Sequence, residues 1–144
     1  MKVKIREFLP ADINEVQKIA TKAFDDYVYE DYLKMGQDSN YKFLVATRNE
    51  EVVGFLIFLQ VDIKLEIIKI ATSSSALRLG VATALIDYMF NYGKSAGFSG
   101  VILEVNEKNA PAINLYEKLG FKKIHVRKKY YNYTFDAIIM EFVF

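Results

Sequence analysis

The chain has 144 residues, 52% of them hydrophobic and 26% charged, with a formal net charge of +1. This is the length of one domain, 1–144, with enough apolar residue to bury a core, and the charge exerts no global pull toward nucleic acid or an anionic membrane. Cysteine is absent and His125 is the single histidine, so disulfides, thiolate zinc, iron–sulfur clusters, a thiol nucleophile and multi-histidine metal sites are excluded.

In chain order, residues 2–8 alternate as an opening strand. They lack an apolar signal region and a small-residue cleavage site, so the expectation is a cytoplasmic protein. Pro10 then starts a helix whose Ile13, Val16, Ile19, Ala20 and Phe24 recur at helical spacing. A shorter helix over 27–35 is predicted to end before Gly36. Three strand-like runs follow, "YKFLVATR", "VVGFLIFLQV" and "KLEIIKIAT", as an antiparallel meander. The second is the most apolar stretch and is far short of the roughly 20 residues of a membrane span. After the polar "SSS" comes a helix carrying Leu85, Ile86, Met89 and Phe90 on one face, with a stop near Gly93 or Gly97.

A strand "GVILEVN" leads to Asn109, a predicted N-cap for a helix with Pro111 in its first turn and Gly120 at its end. Two strands, 121–129 and about 134–143, complete the order β-α-α-β-β-β-α-β-α-β-β. His125 reads as a strand residue. The basic run Lys122, Lys123, Arg127, Lys128 and Lys129 reads as a solvated face.

The stretch "LRLGVATAL" places Gly80 and Ala82 where a helix begins. A helix start with unpaired amides and a positive dipole end is an anion site, and small residues let a ligand approach its backbone. Spacing alone equally allows Gly80 to loosen a loop and Ala82 to pack on the sheet.

The window Leu77-Arg78-Leu79-Gly80-Val81-Ala82 resembles the pyrophosphate loop Q/R-x-x-G-x-G/A of the GNAT superfamily of acetyl-CoA-dependent N-acetyltransferases, with Leu77 where glutamine or arginine is usual. The segment "LEVNEKNAPAINLYEKLGF", 103–121, is similar to the pattern L-E-V-x-x-x-N-x-x-A-I-x-L-Y-x-x-x-G-F of ribosomal-protein alanine N-acetyltransferases and related protein N-terminal acetyltransferases. Asn106 replaces an arginine common in that group. The resemblance implies a GNAT-type α+β domain, a mixed sheet of about seven strands flanked by about four helices. It also implies acetyl-CoA as cosubstrate; no metal is expected, on the composition above. Backbone amides at Leu77 to Ala82 would grip the phosphates, with Arg78 as a side-chain partner and Asn109 touching the coenzyme. A strand bulge would present a backbone N–H near Ile70, Ala71 or Thr72.

Acylating an amine requires its neutral form, yet α-amines titrate near about 8 and lysine-type amines near about 10.4, so a base must act. Two strand carboxylates flank the loop, Glu66 and Glu104. Burial would raise the proton affinity of either. Glu104 aligns with the base of the ribosomal-protein enzymes and is favoured, while Glu66 matches the position used by histone-acetylating relatives. The resemblance assigns Tyr116 as the acid that protonates the departing thiolate.

Tyrosine-rich stretches "FDDYVYEDY" and "KKYYNY" supply acceptor candidates, Asp25, Tyr27, Tyr29, Tyr130 and Tyr131. Related N-terminal acetyltransferases hold a peptide between such loops. Acidic Asp25, Asp26, Glu30 and Asp31 favour a cationic acceptor. Three readings follow: a protein N-terminal α-amine acetyltransferase, a polyamine or small-amine acetyltransferase, and a silent acyl-CoA-binding module. The retained Glu104, Asn109 and Tyr116 argue against the last. A monomer or homodimer is expected.

Overall fold

A computed structural model describes residues 2–24, 29–131 and 135–144. Within them the chain forms β1 (Lys4–Glu7), α1 (Ile13–Ala23), α2 (Tyr29–Gln37), β2 (Tyr41–Arg48), β3 (Glu51–Val61), β4 (Lys64–Thr72), α3 (Val81–Ala96), β5 (Gly100–Asn106), α4 (Ala110–Lys118), β6 (Lys122–Tyr131) and β7 (Phe135–Val143). The predicted order and the seven-stranded α+β architecture are both present. The sheet runs β1-β2-β3-β4-β5-β7-β6, and only the β4/β5 pair is parallel.

The apolar run in β3 follows from burial on both faces, since a strand covered twice has no need to alternate. Leu56 and Phe58 join a cluster with Leu85, Ile86 and Met89 of α3 and Ile113 of α4. Phe55 and Ile57 point the other way, among Val16, Ile19 and Ala20 of α1 and Tyr32 of α2. Asn49 and Glu50, both at positive φ, turn β2 into β3.

Local reading failed at some helix ends. Pro10 to Asp12 form a 3-10 turn and α1 begins only at Ile13, because Asp12 is tied to Arg6 and to the Leu9 amide. Gly36 does not stop α2, which continues to Gln37. A β-carbon there would come within 2.8 Å of the Phe8 ring, so this glycine admits a close ring. Gly93 likewise lies inside α3, where a β-carbon would meet Phe144 at 2.8 Å and Leu65 at 2.9 Å. Gly97, at φ +87°, ends the helix.

Candidate active site

Gly80 is the N-cap of helix α3, and its φ of +76° is the left-handed conformation that glycine adopts at little cost. No side chain caps this end, and the first intrahelical bond there is donated by Ala84 N–H to the Gly80 carbonyl at 2.9 Å. The amides of Val81, Ala82 and Thr83 therefore precede the helical ladder as orphan donors. They border a cleft of about 430 Å³ lined also by Thr72, Leu77 and Arg78, and by Leu115 and Lys118 from α4. A β-carbon at Gly80 would meet nothing within 4 Å. Open space, free amides and two cationic side chains fit an anionic phosphate chain.

Beside this cleft the sheet opens. The β4/β5 ladder pairs Lys64–Glu66 with Gly100–Ile102 and goes no further, although β4 runs to Thr72 and β5 to Asn106. A bulge sharpens the divergence. Ile67 opposes Phe58 and Lys69 opposes Ile57, leaving Ile68 without an opposite residue. The expected bulge thus exists, centred two residues before Ile70. It reverses the facing of the strand: Ile67 packs beneath α3, and after the bulge it is Ala71 that packs on the α1 side. Ala71 is buried, so its backbone is what the site can use.

The same alternation positions the carboxylates. Val101, Leu103 and Val105 enter the cluster beneath α3 and α4, which turns Ile102, Glu104 and Asn106 to the opposite face. Leu65 and Ile67 do likewise on β4, so Glu66 shares the face of Glu104. Burial holds the Glu66 carboxyl above its usual range, the negative charge of Glu104 adds to this, and Arg127 offsets part of it. Arg127 Nη1 lies 2.6 Å from Glu104 Oε1. Arg127 is exposed, as are Lys122, Lys123, Lys128 and Lys129, so the expectation of a solvated basic face holds; what it did not include is the ion pair that Arg127 makes with Glu104. His125 is an exposed β6 residue.

Tyr116 sits on the α4 side of the sheet, buried, its ring 5.6 Å from that of Phe121. Burial pushes its phenol up to about 12, so it stays protonated throughout the neutral range. Asn109 caps α4, its Oδ1 accepting from Ala112 N–H at 3.3 Å.

Thr72, Leu77, Arg78, Gly80, Val81 and Ala82 thus converge on the cleft. Leu79 is exposed and does not line it. Tyr29 is exposed at the start of α2. Asp25, Asp26 and Tyr27 lie outside the described residues, as do the side chains of Tyr130 and Tyr131 at the end of β6. Sequence reading missed Thr83, Leu115, Lys118 and Arg127. Leu115 and Lys118 carry an i, i+3 signal beside Tyr116, but nothing local announces Arg127. Among the described residues no group of three histidine, cysteine or acidic side chains could hold a metal ion, and no helix is long and apolar enough to cross a membrane.

The acetyltransferase (GNAT) family model matches residues 10–121. An N-alpha-acetyltransferase of Sulfurisphaera tokodaii is 32% identical over 95% of this chain and 90% of its own length. The ribosomal protein bS18-alanine N-acetyltransferase of Escherichia coli K12 is 34% identical over 72% of each chain. The crystal structure of Ard1 from Thermoplasma volcanium superposes with a TM-score of 0.91 and 28% identity, covering 99% of this chain and 98% of that one. The chain belongs to the GNAT family and is an N-acetyltransferase that uses acetyl-CoA.

Proposed function

We propose that this GNAT-family acetyltransferase modifies the N-terminal α-amine of a protein or peptide, acting as a single-domain cytoplasmic enzyme, monomeric or homodimeric. The relatives named above support the acceptor class. The observation that carries the reading is the carboxylate pair, Glu66 and Glu104, which share a face beside the opening between β4 and β5.

Bound acetyl-CoA would supply the activated acetyl thioester, its phosphates held by the amides of Val81, Ala82 and Thr83 with Arg78 and Lys118. Asn109 would contact the coenzyme while capping α4. The backbone around Ile70 to Thr72, on the β4 edge that β5 leaves open, would orient the thioester. The pair accepts at a carboxylate oxygen the proton that the acceptor ammonium gives up. Burial and the neighbouring charge of Glu104 make Glu66 hold that proton more firmly than an ordinary carboxylate, so the two act together as the base. The freed amine forms the C–N bond as the C–S bond breaks. Tyr116 Oη, still protonated, gives a proton to the departing sulfur, and the second proton that the nitrogen sheds as it becomes the amide passes through solvent to restore the phenol, so one proton, held by the carboxylates, is released overall. Tyr29, Tyr130 and Tyr131, with Asp25 and Tyr27, would frame the peptide.

Exposed Glu30 and Asp31 in the first turn of α2 favour a second acceptor class, the polyamines. Acetyl transfer to peptides with free N-termini, to the same peptides Nα-blocked but carrying lysine, and to polyamines separates the readings. Free-N-terminus peptides should dominate; preferential turnover of polyamines would overturn the assignment. Within it, Glu66→Gln and Glu104→Gln should each lose most activity where the amine is protonated and recover as pH rises from about 6 to about 10. A pH-independent loss would remove that glutamate from the base.

A further inference from the structure

We infer that Arg127 is a positioning residue of the acetyl-transfer site: reaching across β7, it clamps Glu104 in place beside Glu66. The inference rests on the acetylation reading above.

Glu104 and Arg127 are not on neighbouring strands. Strand β7 lies between them, with Ile139 opposite Glu104 and Ala137 opposite Arg127. Both β7 residues are buried, and the small side chain at 137 leaves the guanidinium a path over the sheet to Glu104 Oε1, 2.6 Å from Nη1. Charge-assisted contact from a rigid planar fork fixes direction as well as distance.

The register that brings Arg127 here is itself held. Between the Arg127–Ala137 and Tyr131–Phe135 pairs, three residues of β6 face one of β7. Lys129, at φ +51°, donates its N–H to Asp136 Oδ1 at 2.7 Å. Lys128 Nζ approaches Asp136 Oδ2 at 3.6 Å, and Asp136 N–H donates to Glu107 Oε2 at 2.7 Å. This anchors the strand just beyond Arg127.

The other charged groups facing Glu104 are few among the described residues. On β4 they are Glu66, Lys64, which is paired with Glu141 of β7, and Lys69, whose Nζ stands 4.4 Å over the Phe24 ring; on β6, besides Arg127, His125 stands opposite Ile139, the residue that also opposes Glu104. Arg127 is a cation that offsets the carboxylate pair. Without it, Glu66 feels the charge of Glu104 less offset and binds its proton more tightly.

The test compares Arg127→Gln and Arg127→Lys with wild type in two ways. In steady-state kinetics with a free-N-terminus peptide, Arg127→Gln should move the acid limb of kcat/KM to higher pH. It should also lower kcat on the order of 10-fold at neutral pH, leave KM for acetyl-CoA unchanged, and be partly rescued by lysine. In ¹³C-detected NMR, the Glu66 carboxyl should titrate at higher pH in Arg127→Gln than in wild type. A wild-type acid limb and a wild-type Glu66 titration in a folded Arg127→Gln protein would overturn the inference. Failure of wild type to acetylate any α-amine would sink the acceptor reading instead, and the carboxyl titration would still decide the role of Arg127.

Discussion

Gly80→Glu probes the cleft most directly, because folding and binding respond to it to very different extents. The left-handed backbone at φ +76° costs an L-residue roughly 1–2 kcal/mol. No atom lies within 4 Å of the added β-carbon, so no steric term is added. A carboxylate at the N-terminus of the 16-residue α3 also gains about 0.3–1 kcal/mol from the orphan amides, so the variant should fold with a net loss of about 1 kcal/mol. Binding should suffer far more. The new carboxylate competes for the same amides and repels the phosphates. One unit charge at about 5 Å costs roughly 0.8 kcal/mol at the dielectric of water and about 3 kcal/mol at an effective value near 20. Against two phosphate charges the loss is at least about 2 kcal/mol, or roughly 30-fold in Kd. Isothermal calorimetry with acetyl-CoA, beside urea unfolding, measures both terms. Gly80→Asn, which tolerates the same φ without charge, should bind within a few-fold of wild type. Added salt should shrink the gap between Asn and Glu. A folded Gly80→Glu protein with wild-type affinity would refute the phosphate-cleft argument.

Other changes test other parts of the molecule. Tyr116→Phe should lower kcat on the order of 10²-fold with acetyl-CoA affinity nearly unchanged, at a stability cost of about 1 kcal/mol or less; wild-type kcat would return this tyrosine to the core. Because burial pushes the phenol to about 12, Tyr116 should impose no alkaline limb on the wild-type profile below pH 10 or so. Leu77→Arg, at an exposed position lining the cleft, should leave stability unchanged and bind acetyl-CoA equally or more tightly in calorimetry; weaker binding would place the phosphates elsewhere. Asp12→Asn removes the carboxylate that accepts twice from Arg6, at 2.8 and 2.9 Å, and once from Leu9 N–H, at 2.8 Å. Allowing for the partly exposed arginine, it should cost about 1–2 kcal/mol in urea unfolding. Its partners hold the Asp12 carboxyl below the usual range, chiefly the Arg6 hydrogen bond, so its contribution is complete above the unfolded value and disappears as pH falls through the folded one. Equal acid sensitivity in wild type and variant would contradict that assignment.

Much of this enzyme is legible along the chain because its signals are local. Alternation in "KLEIIKIAT" and "GVILEVN" places strands at 64–72 and 100–106 and separates Glu66 and Glu104 from their apolar neighbours. Asn109 and Gly97 mark helix ends by chemistry that needs only adjacent residues. The glycine after Leu77-Arg78-Leu79 predicts an open helix start, and Gly80 provides one.

What the chain does not announce depends on residues distant in sequence. Gly36 and Gly93 look like stops, yet each lies inside a helix because the Phe8 or Phe144 ring needs the space of a missing side chain. Arg127 looks like one of five solvated cations until β7 inserts between β5 and β6 and the register carries it to Glu104. Periodicity therefore determined the elements in outline and, away from the bulge, which face each residue takes, since those follow from backbone geometry repeated every two or 3.6 residues. Strand order, the bulge at Ile68 and the partners of each charge were decided by tertiary structure alone, because they depend on which segments pack together, a choice no local pattern encodes.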